Sequence, residues 1–133
     1  LVELGEKLGF PPESMEKARI ALDGAMSGLE KMKRAGVKLA YGTDLLGSTY
    51  TRQCQEFTLR KEIFTPLELL RQATSVGAEL MMLEGQIGCI KPGARADLIV
   101  VDGDPLKNIG LLTQDGRRLP VIVRAGEIVK DAL

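Results

Sequence analysis

The chain has 133 residues, which is enough for about one domain and for a buried core. Its 18 basic and 18 acidic side chains cancel, and aromatic residues make up only 4% of the sequence. Nucleic-acid binders usually carry a basic surface, and single-strand binders add aromatic stacking platforms. The composition therefore argues against a nucleic-acid partner. No apolar stretch approaches the roughly 20 residues that cross a bilayer, so no membrane partner is expected either.

The two cysteines, Cys54 and Cys89, lie far apart and form no CxxC pair. This pattern favours two buried or inert thiols in a reducing, cytoplasmic compartment. The first residues, Leu1-Val2-Glu3, lack the charged and apolar regions of a signal peptide. The chain begins with Leu rather than Met, which fits a start inside a longer protein.

In chain order, a helical end is expected over Leu1 to Gly9, followed by an amphipathic helix from Glu13 or Ser14 to Gly36. The apolar or small positions of the second helix repeat every three or four residues and should share one face that covers an apolar surface. They are Met15, Ala18, Leu22, Ala25, Leu29 and Met32.

Alternating residues over Val37 to Gly42 predict a strand directly after this helix, the αβ step of a parallel α/β protein. Thr51 to Ile63 is expected to be partly helical. A further helix should begin at Thr65-Pro66-Leu67-Glu68, because Thr65 can cap it, Pro66 suits its first position and Glu68 can complete a capping box. It should continue to about Leu80.

After Glu84-Gly85 the pattern changes to four short strands, which predict a small β unit. The strands are Gln86 to Ile90, Asp97 to Val101, Leu119 to Arg124, and Glu127 to Lys130. Lys91-Pro92-Gly93 suits a type II turn, and Ala125-Gly126 suits a two-residue hairpin loop.

Asp44 is the candidate functional residue, since it follows the predicted strand at the position where α/β proteins place catalytic groups. From spacing alone, a turn or helix N-cap aspartate is the more common explanation, because capping aspartates are frequent. Arg52 and Gln53 could contact a substrate carboxylate, although a solvated surface position is the simpler interpretation. Cys54 lacks a histidine that could activate it, because the chain contains 0 histidines.

Several segments, taken in order, resemble the C-terminal part of metal-dependent amidohydrolases, in the branch of imidazolonepropionases and Xaa-Pro dipeptidases. Tyr41-Gly42-Thr43-Asp44-Leu45-Leu46-Gly47 is similar to that family's strand-eight motif, and Gln55-Glu56-Phe57 to the stretch that follows. The segment from Thr65 to Thr74 resembles its helix-eight signature. Further similar positions mark the return to the family's composite β domain and its closing hairpin: Gly88, Lys91-Pro92-Gly93, Ala96 to Val100, Val123, Gly126 and Val129.

This resemblance implies an α/β fold in which residues 1–84 form the last βα units of a (β/α)8 barrel and residues 85–133 part of a β-sandwich. It implies that Asp44 ligates a divalent metal, usually zinc, and accepts the proton of the hydrolytic water. The substrate would be a small molecule with an amide or related C–N bond, such as a dipeptide, an N-acyl amino acid or a cyclic amide.

The family's histidine ligands cannot lie in a chain without histidine, and a complete barrel needs about 250 residues. We therefore expect this chain to be an inactive fragment of such an enzyme. Exposed apolar edges would favour self-association or association with the missing N-terminal part. Two alternatives remain open: a non-catalytic binding or assembly module that retains the family's tail, and a free-standing α/β domain in which Asp44 only caps a helix.

Overall fold

A computed structural model describes residue 5 and residues 9–45 and 47–133. Most of the predicted helical end before Gly9 therefore lies outside the described residues, and so does the residue that follows Leu45. The chain divides into two compact units, Leu1–Lys38 and Leu39–Leu133. The predicted barrel and sandwich parts, divided at residues 84 and 85, stay an expectation.

The first unit contains the predicted amphipathic helix, α1, over Pro12–Arg34. It ends in a Schellman motif, in which Gly36 at φ 68° donates to the carbonyl of Lys33 and Val37 donates to that of Met32. The predicted end at Gly36 is confirmed. Its predicted apolar face is covered only at Met15, while Leu22 remains 39% exposed, so most of that face has no apolar cover within the described residues.

Val37 to Gly42 is not part of a strand in this structure, and the prediction of a strand there was wrong for the described chain. A parallel strand needs neighbouring strands to accept and donate its backbone hydrogen bonds. Here the N–H of Tyr41 instead donates to the carbonyl of Gln72, 3.1 Å away, in a helical segment.

Helices dominate the middle of the chain, as predicted. A 3₁₀ helix over Gly47–Gln55 leads directly into α2, Glu56–Arg60, and α3 follows over Pro66–Ala73. At the start of α3 the side chain of Thr65 accepts from the Glu68 N–H, and Glu68 accepts from the Thr65 N–H at 2.7 Å. The capping box is confirmed.

The predicted continuation of this helix to Leu80 is interrupted at Thr74, where the backbone turns before α4, Ser75–Leu80. The hydroxyl of Thr74 donates to the carbonyl of Leu70 at 2.6 Å. Ala78 is buried, as expected for a small residue that allows a close approach.

The last third of the chain forms a three-stranded antiparallel sheet in the order β1-β2-β3, from Leu98–Val100, Val121–Arg124 and Glu127–Asp131. Leu98 pairs with Val123, and a bulge lies between Ile122 and Val123. Three of the four predicted strands are thus confirmed.

Gln86 to Ile90 is not a strand, apart from one isolated bridge between Glu84 and Ile87. Local backbone geometry prevents an extended strand here. Gly88 has φ 67°, and the N–H groups of Gln86 and Ile87 donate to the carbonyl of Leu83 in turns.

Both predicted turns are present. The N–H of Ala94 donates to the Lys91 carbonyl at 3.1 Å with Gly93 at φ 83°, as in a type II turn. Ala125 and Gly126 have φ 52° and 86°, the signature of a type I′ hairpin loop.

The core of the second unit consists of side chains from α2 to α4 and from a second 3₁₀ helix, Ile109–Thr113. Its buried apolar members are Phe57, Phe64, Leu69, Ala78, Ile109, Leu111 and Leu112. Much of the sheet, by contrast, exposes apolar side chains, including Ile99 and Val129. No helix among the described residues is long and apolar enough to span a membrane.

Candidate functional site

Asp44 lies at the end of an irregular segment, three residues before the 3₁₀ helix that begins at Gly47. Its side chain is exposed and its backbone is left-handed, with φ 50°. A helix N-cap has an extended backbone and directly precedes its helix, so Asp44 does not cap this 3₁₀ helix. Aspartate tolerates the left-handed region better than most residues, and such backbones occur often at functional sites.

Two neighbouring hydrogen bonds hold the backbone that precedes Asp44. Nη1 of Arg60 donates to the carbonyl oxygen of Ala40 at 3.1 Å. One residue later, the N–H of Tyr41 donates to the carbonyl of Gln72 at 3.1 Å. In a β-sheet, neighbouring strands would hold this segment through backbone hydrogen bonds. Here α2 and α3 hold it instead.

Arg60 is the centre of this arrangement and is only 8% exposed. A buried guanidinium must be paired and hydrogen-bonded, because isolated charges are costly to bury. Nε donates to Glu56 Oε1 at 2.6 Å, and Nη1 donates to Gln72 Oε1 at 2.9 Å. The guanidinium also lies 5.7 Å from the centre of the Tyr41 ring, within range of a cation–π interaction.

Tyr41 links this buried cluster to the chain that follows Asp44. Its hydroxyl donates to the carbonyl of Gln53 at 2.7 Å, and its ring lies 4.5 Å from that of Phe57. Burial, followed by the negative charges of Cys54 and Glu56, raises the pKa of Tyr41 far above its ordinary value. The hydroxyl therefore keeps its proton and stays a donor at physiological pH.

Asp44 can offer a metal one carboxylate ligand, but the described residues do not form a complete metal site. Among residue 5 and the stretches 9–45 and 47–133, no three His, Cys, Asp or Glu side chains are grouped to hold an ion. Catalytic zinc keeps about three protein ligands, so Asp44 fits a metal only as one ligand of a site completed by other chain.

Cys54 does not behave as a nucleophile in this environment. It is half-buried, and burial, reinforced by the charge of Asp115, raises the pKa of its thiol. A raised pKa leaves less thiolate at neutral pH. Cys89 is exposed, so the expectation of a buried or inert thiol leaves only the second alternative for it.

The sequence profile of the amidohydrolase family matches residues 7–129, nearly the whole chain. The chain belongs to the amidohydrolase family. This confirms the resemblance drawn from the strand-eight and helix-eight segments, and the family's solved members support an α/β fold.

Two solved family structures show how much of such a protein the chain represents. A crystal structure of an amidohydrolase is 41% identical with a TM-score of 0.93, and the match covers 100% of this chain but 32% of that one. A prolidase in complex with N-methylphosphonate-L-proline is also 41% identical, with a TM-score of 0.90 over 98% of this chain and 32% of its own. The chain thus spans about a third of these proteins.

Curated relatives agree on the family but differ in activity. Ochratoxinase of Aspergillus niger is 27% identical over 127 residues, which are 92% of this chain and 25% of that enzyme. A 5-methylthioadenosine/S-adenosylhomocysteine deaminase of Symbiobacterium thermophilum is 28% identical over 99 residues, 65% of this chain and 23% of that protein. The chain spans about a quarter of each.

Sequence reasoning singled out Asp44, whose role stays a prediction, but it missed the side chains that hold the preceding backbone. Glu56 and Arg60 are four apart, the spacing of an ion pair on a helix, and this was the available signal. Such pairs usually lie on exposed faces, so the spacing alone does not indicate a buried one. Nothing in the local pattern of Gln72 indicates that its amide oxygen binds Arg60.

Proposed function

We propose that this chain supplies the Asp44-bearing part of a metal-dependent hydrolase of C–N bonds, acting on dipeptides, N-acyl amino acids or cyclic amides. The observation that carries the proposal is the match to a prolidase along nearly the whole chain, at an identity well above that of a shared fold alone. The exposed position of Asp44 after a firmly held backbone supports it. A cytoplasmic location belongs to the same proposal.

Asp44 has two parts in this proposal. It provides one oxygen ligand to a divalent metal, zinc by preference, and it carries a proton from the hydrolytic water to the leaving nitrogen. When bound, such a metal lowers the pKa of water towards 7, which makes hydroxide available at neutral pH. The exposed carboxylate suits both parts, because it can be reached from outside the chain.

The same proposal gives the chain its place in a larger fold. Residues 1–84 would close a (β/α)8 barrel, and residues 85–133 would contribute to a β-sandwich. Exposed apolar side chains on α1 and the sheet, such as Ile20, Leu22 and Ile99, would be covered there. Alone, the chain should be inactive and should self-associate, so a clean monomer with sharp thermal unfolding would count against this placement.

A chimeric enzyme tests the proposed function. The 133 residues replace the matching third of the 41%-identical prolidase, which supplies the remaining metal ligands. We expect zinc-dependent hydrolysis of Xaa-Pro dipeptides by the chimera and none by the isolated chain. Methylthioadenosine and S-adenosylhomocysteine are included because one curated relative is a deaminase.

The alternative, a non-catalytic binding or assembly module, predicts a different result. A chimera that folds, binds zinc and hydrolyses none of these substrates would favour the module. Hydrolysis that is equally fast after Asp44→Ala would overturn the role of Asp44, although it would leave the family assignment intact.

A further inference from the structure

The buried cluster around Arg60 joins three parts of the chain at the base of the Asp44 segment. Its cation comes from the last residue of α2, its neutral partner Gln72 from α3, and its third partner is the Ala40 carbonyl. Glu56 supplies the compensating negative charge from the preceding turn of α2. Nε thus binds within α2, whereas Nη1 alone binds both α3 and the segment that precedes Asp44.

We propose that Arg60 is a positioning residue for Asp44, acting through the carbonyl of Ala40. This inference rests on the proposed function and deepens it by naming what fixes the carboxylate. The distance along the chain is short, since Ala40 is only four residues before Asp44. With the peptide between Ala40 and Tyr41 held, the carboxylate three residues further on can move over a smaller range.

A second connection fixes the chain on the other side of Asp44. The Tyr41 hydroxyl donates to the carbonyl of Gln53 in the 3₁₀ helix, so the chain before Asp44 is joined to the chain after it through one side chain. Arg60 lies beside the Tyr41 ring and holds Ala40, and Tyr41 in turn donates its N–H to Gln72. The guanidinium therefore holds the chain before Asp44 directly and reaches Gln53 only through Tyr41.

Lysine cannot replace this arrangement. Arg60 presents several donors in a rigid plane, and two of them bind Glu56, Gln72 and Ala40 at once. The ammonium of lysine is a compact charge on a flexible stem. Arg60→Lys should keep the ion pair with Glu56 while it loosens the hold on Ala40, and Arg60→Met should lose both.

The first measurement uses the folded chimera and follows amide hydrogen exchange in its peptides by mass spectrometry, because the isolated chain is expected to self-associate. In Arg60→Met, exchange in the peptide that contains Tyr41, whose N–H donates to the Gln72 carbonyl, should accelerate on the order of tenfold. The peptide that contains Leu69 in α3 should keep its wild-type rate, and Arg60→Lys should show a smaller acceleration at Tyr41. Arg34→Met, which removes an exposed partner of Glu30, is the matched control and should change neither rate.

Unchanged exchange at Tyr41, or equal acceleration at Leu69, would overturn the positioning role. If Arg60→Met does not fold, the comparison of Arg60→Lys with wild type decides, with the same two outcomes.

The second measurement uses the chimera. Because misplacement of about 1 Å can cost about 100-fold, Arg60→Met should lower kcat by about that factor with KM nearly unchanged. Arg60→Lys should recover part of the loss. An equal loss in both variants, or a change confined to KM, would overturn the inference. If the wild-type chimera is inactive, the proposed function fails, and hydrogen exchange still decides the positioning of Asp44.

Discussion

Gly88 lies against the carbonyl group of Thr74, at the point where α3 gives way to α4. A methyl group added at position 88 would lie 2.5 Å from the Thr74 oxygen and 3.2 Å from Cβ of Ala78. With φ at 67°, Gly88 also has a backbone that other residues adopt at a cost. At this contact, the turns that precede the sheet pack against the helical part of the second unit.

We predict that Gly88→Ala destabilises the chain by about 3 kcal/mol, because a left-handed alanine costs about 1 kcal/mol and the clash with backbone adds to it. Gly93→Ala is the matched control, since Gly93 also has a positive φ but has open space around it. It should cost about 1 kcal/mol. Urea unfolding of both variants measures the difference, and equal losses would show that the contact with Thr74 contributes nothing.

A second prediction concerns the ion pair of Glu56 and Arg60, whose side chains are 19% and 9% exposed. Glu56→Ala leaves the arginine charge buried without its acidic partner and should cost about 3 kcal/mol.

The exposed pair of Glu13 and Lys17 has the same spacing along a helix and provides the control. Glu13→Ala should cost no more than about 0.5 kcal/mol. Comparable losses of unfolding free energy in the two variants would show that burial does not determine the strength of the pair at Glu56.

The parts of the fold that the sequence predicted are those fixed by local chemistry. The capping box at Thr65 and Glu68, the turn at Gly93 and the hairpin loop at Ala125 each depend on a few adjacent residues. Their backbone conformation follows from hydrogen bonds within the segment or from a glycine that permits it. Such features do not depend on what lies elsewhere in the chain.

The two strands that were wrongly predicted depend on more distant partners or on an unrecognised turn. Val37 to Gly42 has the alternation of a strand, but its ladder would need neighbours, and the described residues offer hydrogen bonds from helices instead. In the segment from Gln86 to Ile90, the positive φ of Gly88 interrupts the extended chain.

The residues of the candidate site likewise differ in whether local sequence could indicate them. Asp44 was found because its motif is local, whereas Arg60 and Gln72 act through contacts 20 and 12 residues apart in sequence. Helical spacing indicates that Glu56 and Arg60 can pair, but it does not indicate that the pair is buried. Whether Cys89 is buried or exposed could not be predicted either, because composition does not reveal which surface lacks cover.

A third prediction concerns the reactivity of the two thiols. Iodoacetamide at pH 8 should modify exposed Cys89 faster than Cys54, by on the order of tenfold, since thiolate is the reactive form and burial raises the pKa of Cys54.

The rate at Cys54 should keep rising beyond about pH 9.5, where a thiol with the ordinary pKa of about 8.5 is already about 90% ionised, because its own pKa lies higher. Mass spectrometry of the two peptides follows both rates. Equal rates, or a plateau at Cys54 below that pH, would contradict the assigned environment.

The most direct test of the central claim is the turnover of Asp44→Asn in the prolidase chimera. Asparagine retains the shape of the side chain but cannot accept the proton of the hydrolytic water. We expect kcat to fall by at least about 1,000-fold, the combined loss of a proton acceptor and a ligand, with the thermal midpoint nearly unchanged. A chimera that retains wild-type kcat with Asn at position 44 would contradict the account.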